Sequence, residues 1–346
     1  MRLWIAVLVK PILYLTSPAF PFAHLNTILS FYAIKNNSKY HQIIYNFYNQ
    51  ILAKYFMELH VDIKKKINDL SINWETEPFP HTVIDNFLPS ETFSKIVDSL
   101  NNLKDLKDIK KKFSNYIENN KEVYGDKDLS DTLKLPVNVL GGDEIKKKFT
   151  NLFNIDQISS LTDVPNYGGY YPFHIMRKDG VLGSHVDHSH SNEGKLHIAN
   201  SIYYVSPKWE DTWGGETVFL NSYGTKILKK ISPKPNRLIL FVHSAKSFHA
   251  VNKISCPDDI RRNTYYMDYY TNDKNLNIIY SNIKNLTYSF HTTTFIPFFP
   301  LGFKSFKIKY LFKKSTYHYL IVLFKYVLKR FFLNYKLASF LKGNFN

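Results

Sequence analysis

His185-Val186-Asp187 is the tripeptide in this 346-residue chain whose residue types and spacing most directly suggest chemistry. On a β-strand, residues i and i+2 project to the same face, so the imidazole and the carboxylate would point together. The pair needs a third ligand to hold a metal, and His249, in Phe248-His249-Ala250-Val251, can supply it from a later strand. Two histidines and one carboxylate leave three coordination positions open, the arrangement used by non-haem Fe(II). The same three letters recur in His60-Val61-Asp62, inside a lysine-flanked segment that reads as helix. On a helix, i and i+2 lie about 200° apart, so this second copy cannot converge and reads as a solvated face.

Strands must therefore carry His185, Asp187 and His249, and the pattern from residue 165 onward supplies them. Period-two runs occur at Gly169–Arg177, Ser184–His188, His197–Val205, Glu216–Leu220, Arg237–His243, Ser247–Lys253 and Thr264–Thr271. Turn signals separate them: Asp179-Gly180, Pro207, Gly214-Gly215, Tyr223-Gly224, Pro233 with Pro235, and Pro257-Asp258. Many short strands without alternating helices predict a sandwich or barrel of jelly-roll type and exclude a doubly wound parallel sheet. Upstream, His81–Phe87 reads as a strand. Ser90 reads as an N-cap, and Phe93, Ile96, Val97 and Leu100 mark one face of a helix. Residues 41–69 read as a helix, and the Lys- and Asp-rich stretch 104–128 as a solvated loop-rich or helical insertion. The predicted class is α+β, a jelly-roll core with flanking helices and with helical N-terminal and C-terminal extensions. Its divisions are a basic helical extension over 1–75, the β domain over 76–275, and a basic aromatic tail over 276–346.

An ordered series of motifs surrounds the His-x-Asp pair: His185-x-Asp187, Ile202–Ser206, Trp213-Gly214-Gly215-Glu216-Thr217, Pro235–Phe241, Ser247–Val251 and Arg262-Asn263-Thr264. Phe79-Pro80-His81 and Ile84–Pro89 precede it. In this order the pieces resemble the Fe(II)- and 2-oxoglutarate-dependent oxygenases, specifically the prolyl 4-hydroxylase-like branch with its double-stranded β-helix. The resemblance covers residues 76–275, a little over half of the chain. It implies that His185, Asp187 and His249 bind Fe(2+), with 2-oxoglutarate and O2 as cosubstrates and ascorbate as a candidate reductant. It further implies that Arg262 holds the far carboxylate of 2-oxoglutarate, with Thr264 and Tyr204 adding hydroxyl donors. Arg261 is the competing anchor, and pairing with Thr264 favours Arg262. Where related chains often place a Tyr before His-x-Asp, this one offers His174 and Met176. His188, His190 and His197 read as loop or rim residues, His243 as a packed histidine, and Glu216 as structural.

The implied reaction is hydroxylation of a C–H bond in a peptidyl residue such as proline, or in a glycan, lipid or small metabolite. The alternative is a cupin-like metal- or ligand-binding module that performs no oxidation. A single cysteine excludes a disulfide framework and any cysteine-based zinc site. The net charge of +16 is concentrated at the ends: residues 1–57 carry five Lys or Arg and no acid, and 274–346 carry twelve and no acid. The middle sums to −1, which argues against a nucleic-acid-binding core and for termini that meet something anionic. In 316–341, His318, Lys325, Lys329 and Lys336 fall within about 40° of helical phase on an otherwise aromatic and aliphatic helix. That pattern suits either an interfacial helix on an anionic membrane, using 303–346, or a helix packed on the domain with its lysines in water. The apolar runs within the first 35 residues are too short to span a bilayer and lack a convincing leader-cleavage pattern. The expected setting is cytoplasmic, peripheral to a membrane.

Overall fold

The structure, a computed structural model, describes residues 61–102, 111–125, 128–153, 155, 157–163, 171–272, 293–296 and 308–332. Backbone contacts divide the chain into two compact units, residues 1–62 and 63–346. Of the helix expected over 41–69, residues 61–68 are helical and those before 61 lie outside the described residues, as do His60 and the first apolar runs.

Within the second unit, β1 (His81–Ile84) leads into α1 (Ser90–Asn102), whose Ile96 and Leu100 are buried as the apolar spacing requires. A hairpin follows, β2 (Lys111–Ser114) and β3 (Glu118–Tyr124), then α2 (Asp131–Leu140) and α3 (Asp143–Phe153). The remaining strands are β4 (Ser159–Ser160), β5 (Phe173–Val186), β6 (Leu196–Tyr204), β7 (Thr217–Leu220), β8 (Ile227–Ile231), β9 (Arg237–Val242), β10 (His249–Val251), β11 (Arg262–Thr271) and β12 (Thr294–Phe295). A 3-10 turn at Ile308–Phe312 precedes the last helix, α4 (Lys314–Phe332).

The main path of the sheet runs β1-β9-β6-β11-β5-β10-β7-β8, and its neighbours are antiparallel. β5 ties its two halves together. Its first part, Phe173 to Met176, pairs with β11, and its last part, Leu182 to His185, pairs with β10. β3 and then β12 line the other edge of β5. The path folds back on itself, because side chains from strands that are not neighbours meet. Tyr204 on β6 hydrogen-bonds Thr217 on β7 at 2.6 Å, and Phe219 on β7 lies 5.3 Å from Phe241 on β9. This is the jelly-roll, or double-stranded β-helix, with helices flanking it.

Local sequence accounts for the placement. Arg237–Val242 is buried at every position, as a central strand must be, whereas β8 exposes Leu228 and Lys230 at the sheet's margin. Two expectations are corrected. Asp179-Gly180 does not end a strand: Asp179 adopts φ 61° and kinks β5, while Asp179 and Gly180 exchange backbone hydrogen bonds with Ile254. The stretch 104–128 holds a β-hairpin from Lys111 to Tyr124, because β3 finds a partner in β5 that local charge content does not reveal. Residues 103–110 lie outside the described set.

Candidate metal centre

The backbone register builds the centre before any side chain is considered. His249 and His185 are direct antiparallel partners across β10 and β5, so their rings stand side by side with centroids 4.2 Å apart. Asp187 follows His185 by two residues and lies just past the end of β5. One ligand atom from each of His185, Asp187 and His249 falls within 4.8 Å of the others. The Nε2 of His185 is 3.7 Å from Asp187 Oδ1, and that of His249 is 3.5 Å from Asp187 Oδ2. His60 lies outside the described residues, so its pairing with Asp62 is not part of the description.

Both imidazoles are held in one tautomer. His185 Nδ1 lies 2.8 Å from the Gly183 carbonyl and His249 Nδ1 lies 3.1 Å from that of Ser247. A carbonyl only accepts, so each Nδ1 donates, and each Nε2 is turned toward the carboxylate. Burial, reinforced by His249, pushes the His185 pKa down to about 3. Burial alone would raise the Asp187 carboxyl, but His249, His185, His197 and His188 outweigh it and hold the group well below the usual carboxylate range. Two imidazole nitrogens and a carboxylate are the donors that a divalent first-row metal takes, so the residues fit an iron ion.

Around the triad lies a buried polar layer. Asn200 on β6 donates from Nδ2 to Asp187 Oδ2 at 3.3 Å and to Asp268 Oδ1 at 2.7 Å. Asp268, on β11, also accepts from Tyr270 at 3.4 Å, and burial raises its pKa to about 7. His197 is completely buried on β6 and stacks on His243 at 4.2 Å, so it lines the interior and is not a rim residue. On the other flank, Phe295 of β12 stacks on His185 with centroids 5.0 Å apart. Sequence reasoning missed Asn200, Asp268 and Phe295; period two along β6 and β11 places Asn200 with Tyr204 and Asp268 with Arg262, and that was the available signal.

A second buried polar cluster is built on a cation. Arg262 is only 3% exposed, and among the described residues no carboxylate forms an ion pair with it. Its Nε donates to the Gly215 carbonyl at 2.8 Å and its Nη2 to Thr217 Oγ1 at 3.0 Å, with the Tyr204 hydroxyl at 3.4 Å. Met176 brings its sulfur to 3.9 Å from Nη1. Burial lowers the Arg262 pKa, with Tyr204 opposing. Arg261 points away and donates to the Leu100 carbonyl at 3.4 Å. Thr264 is buried on the same strand as Arg262, opposite Tyr204 on β6 and His174 on β5, while the hydroxyl that contacts the guanidinium is that of Thr217. Gly214 and Gly215 make this cluster possible. A Cβ on Gly214 would sit 2.2 Å from the Lys253 carbonyl, and one on Gly215 would sit 2.8 Å from the Trp209 ring.

Residues 171–267 match the family model described as the 2OG-Fe(II) oxygenase superfamily. No curated protein matches the chain. Among solved structures, the chain is similar to a Pseudomonas putida prolyl-4-hydroxylase at 10% identity, covering 61% of this chain and 100% of that one, with a TM-score of 0.41. It is similar to HygX of Streptomyces hygroscopicus, solved with nickel, 2-oxoglutarate and hygromycin B bound, at 10% identity, 62% and 93% coverage and a TM-score of 0.39. A Trichoplax adhaerens prolyl hydroxylase, in complex with a hypoxia inducible factor peptide fragment, matches at 16% identity, 62% and 89% coverage and a TM-score of 0.36.

Proposed function

We propose that this protein is a 2-oxoglutarate-dependent dioxygenase, a reading supported by the match of residues 171–267 to the 2OG-Fe(II) oxygenase model and by the cluster of His185, Asp187 and His249, and that its own residues divide the work as follows. His185, Asp187 and His249 bind Fe(2+) as two imidazoles and a carboxylate. Arg262 takes the far carboxylate of 2-oxoglutarate through charge-assisted hydrogen bonds, with Tyr204, Thr264 and Thr217 as hydroxyl neighbours. The iron, when bound, supplies the activation of O2 that couples decarboxylation of 2-oxoglutarate to oxidation of a C–H bond.

The chain's own contribution is position, charge and dryness. The Gly183 and Ser247 carbonyls orient the imidazoles, and Asn200 orients the carboxylate. Arg262 supplies a fixed cation where water is excluded, so its attraction for an incoming carboxylate is weakly screened. Ascorbate is the candidate reductant. The primary substrate is a peptidyl residue such as proline, a glycan, a lipid or a small metabolite, and the expected setting is the cytoplasm.

The observation that carries this reading is Arg262, a buried guanidinium whose described hydrogen-bond partners are all neutral, with the Glu216 carboxylate acting on it without an ion-pair contact. Burying a cation without an anion is costly, and a dicarboxylate cosubstrate removes that cost. A cupin-like module that binds without oxidising has no use for it. The test is anaerobic titration with Fe(II) and 2-oxoglutarate, read by the weak visible charge-transfer band and by succinate release in air. Wild type gives both. His185→Ala gives neither, and Arg262→Ala weakens 2-oxoglutarate binding by about 100-fold, the loss of a charge-assisted pair. Wild type without band or succinate, or Arg262→Ala with unchanged affinity, removes the proposal.

A further inference from the structure

Eight of the eleven exposed large apolar side chains among the described residues lie in one stretch, residues 308–327. That concentration is not a scatter of single surface residues, which would need no explanation. In the 3-10 turn Ile308 is 76% and Phe312 84% exposed; on α4, Tyr317, Leu320, Ile321 and Phe324 are 46–63% exposed. Steps of three and four residues put the α4 members on one face. The opposite side of the helix is occupied: Tyr319 packs on Phe295 with centroids 4.9 Å apart and on Tyr116 at 6.4 Å. α4 therefore rests on the domain by one side and presents a second apolar side outward.

Charge selects what that outer side meets. Lys314 and Lys325 are exposed and, with His318, form a stripe beside the apolar face at helical phase. Residues 274–346 carry twelve basic and no acidic residues. A second copy meeting face to face would bring two such surfaces together, like charge against like. Residues 1–57, with five basic residues and no acid, are equally mismatched. An anionic bilayer satisfies both the apolar face and the lysines, as the cytoplasmic leaflet does. No described helix is long and apolar enough to cross a membrane, so the fitting geometry lies in the interface plane.

We propose that the outer face of α4, together with the 3-10 turn before it, docks the protein on an anionic lipid surface. Packing and docking, the two uses that the basic-aromatic helix suggests, are then opposite sides of one element. The docking helix is also close to the metal centre, since Phe295 contacts both Tyr319 and His185.

The experiment is co-sedimentation of the full chain with phosphatidylcholine vesicles, with and without phosphatidylserine, at low and high salt. Wild type should bind the phosphatidylserine vesicles and lose about tenfold in affinity without the anionic lipid or at high salt. Ile321→Glu with Phe324→Glu should weaken binding by a further tenfold or so, since each places a charge on the face that enters the lipid. Leu228→Glu, on the exposed side of β8, should not. Circular dichroism of each variant separates lost binding from lost folding, and Ile321→Ser with Phe324→Ser serves if the glutamates do not fold. The proposal is overturned if wild type ignores anionic vesicles or if the face variants bind as wild type does. It is equally overturned if those variants instead convert a dimer to a monomer in sedimentation, which would assign the face to a second copy. Succinate release, measured separately, reports on the oxygenase assignment and is independent of these outcomes.

Discussion

Asn200 shows how far the centre extends beyond the three side chains that could hold metal. Its amide group bridges Asp187, a candidate ligand, and Asp268, a buried acid whose pKa burial pushes up to about 7. Partners of this type fix ligand orientation, and losing one weakens metal binding about 10- to 100-fold. Asn200→Ala is therefore expected to weaken Mn(II) binding by that factor, read by electron paramagnetic resonance, with the fold intact by circular dichroism. Unchanged affinity would reduce Asn200 to packing. At this scale His185-x-Asp187 was legible because strand period two is local. Asn200 was not, since its partner lies 13 residues away, just past the end of another strand.

At the scale of elements, the turn between the 3-10 helix Asp211–Trp213 and β7 controls the Arg262 cluster. Gly214 has φ 65° and ψ −145°, a backbone region essentially closed to other residues, and its Cα faces the Lys253 carbonyl. Gly214→Ala is expected to cost at least about 2 kcal/mol in urea unfolding, from backbone strain and the clash with the Lys253 carbonyl together. A smaller loss would mean that the Lys253 strand end yields easily. β5 teaches the complementary lesson. Asp179-Gly180 carries a turn signal, yet the chain continues as one strand because β3, β11 and β10 pair with it on either side of the kink and Ile254 takes the backbone bonds at the kink itself. Local propensity marks where a chain can bend; pairing decides whether the strand ends there.

Over the whole molecule, buried histidines set the response to acid. Burial lowers the pKa values of His81, His174, His185, His188 and His197. In the unfolded chain each returns to about 6.5, so below that pH the unfolded state binds more protons and stability falls with falling pH. The loss continues down to each folded-state pKa, about 3 for His185. Asp268 acts in the opposite sense, because its raised folded pKa lets the native state hold a proton between about 4 and 7. With His190 shifted in the same sense, six histidines against one carboxyl predict a urea midpoint of the metal-free protein that drops between about pH 7 and about pH 5. A midpoint that holds steady or rises would mean these rings are protonated in the native state.

By itself the amino-acid order determined the strand-rich class, the His-x-Asp pair and the basic-aromatic tail, because each depends on spacing within one segment, and it offered the distant His249 through the order of the motifs. Tertiary structure alone decided which residues share a cluster. Thr217 reaches Arg262 and Tyr204 only because β7 folds back over β6 and β11. It also decided that α4 uses one side against Phe295 and leaves another outward, since a helical wheel shows which residues share a face but not which face finds a partner.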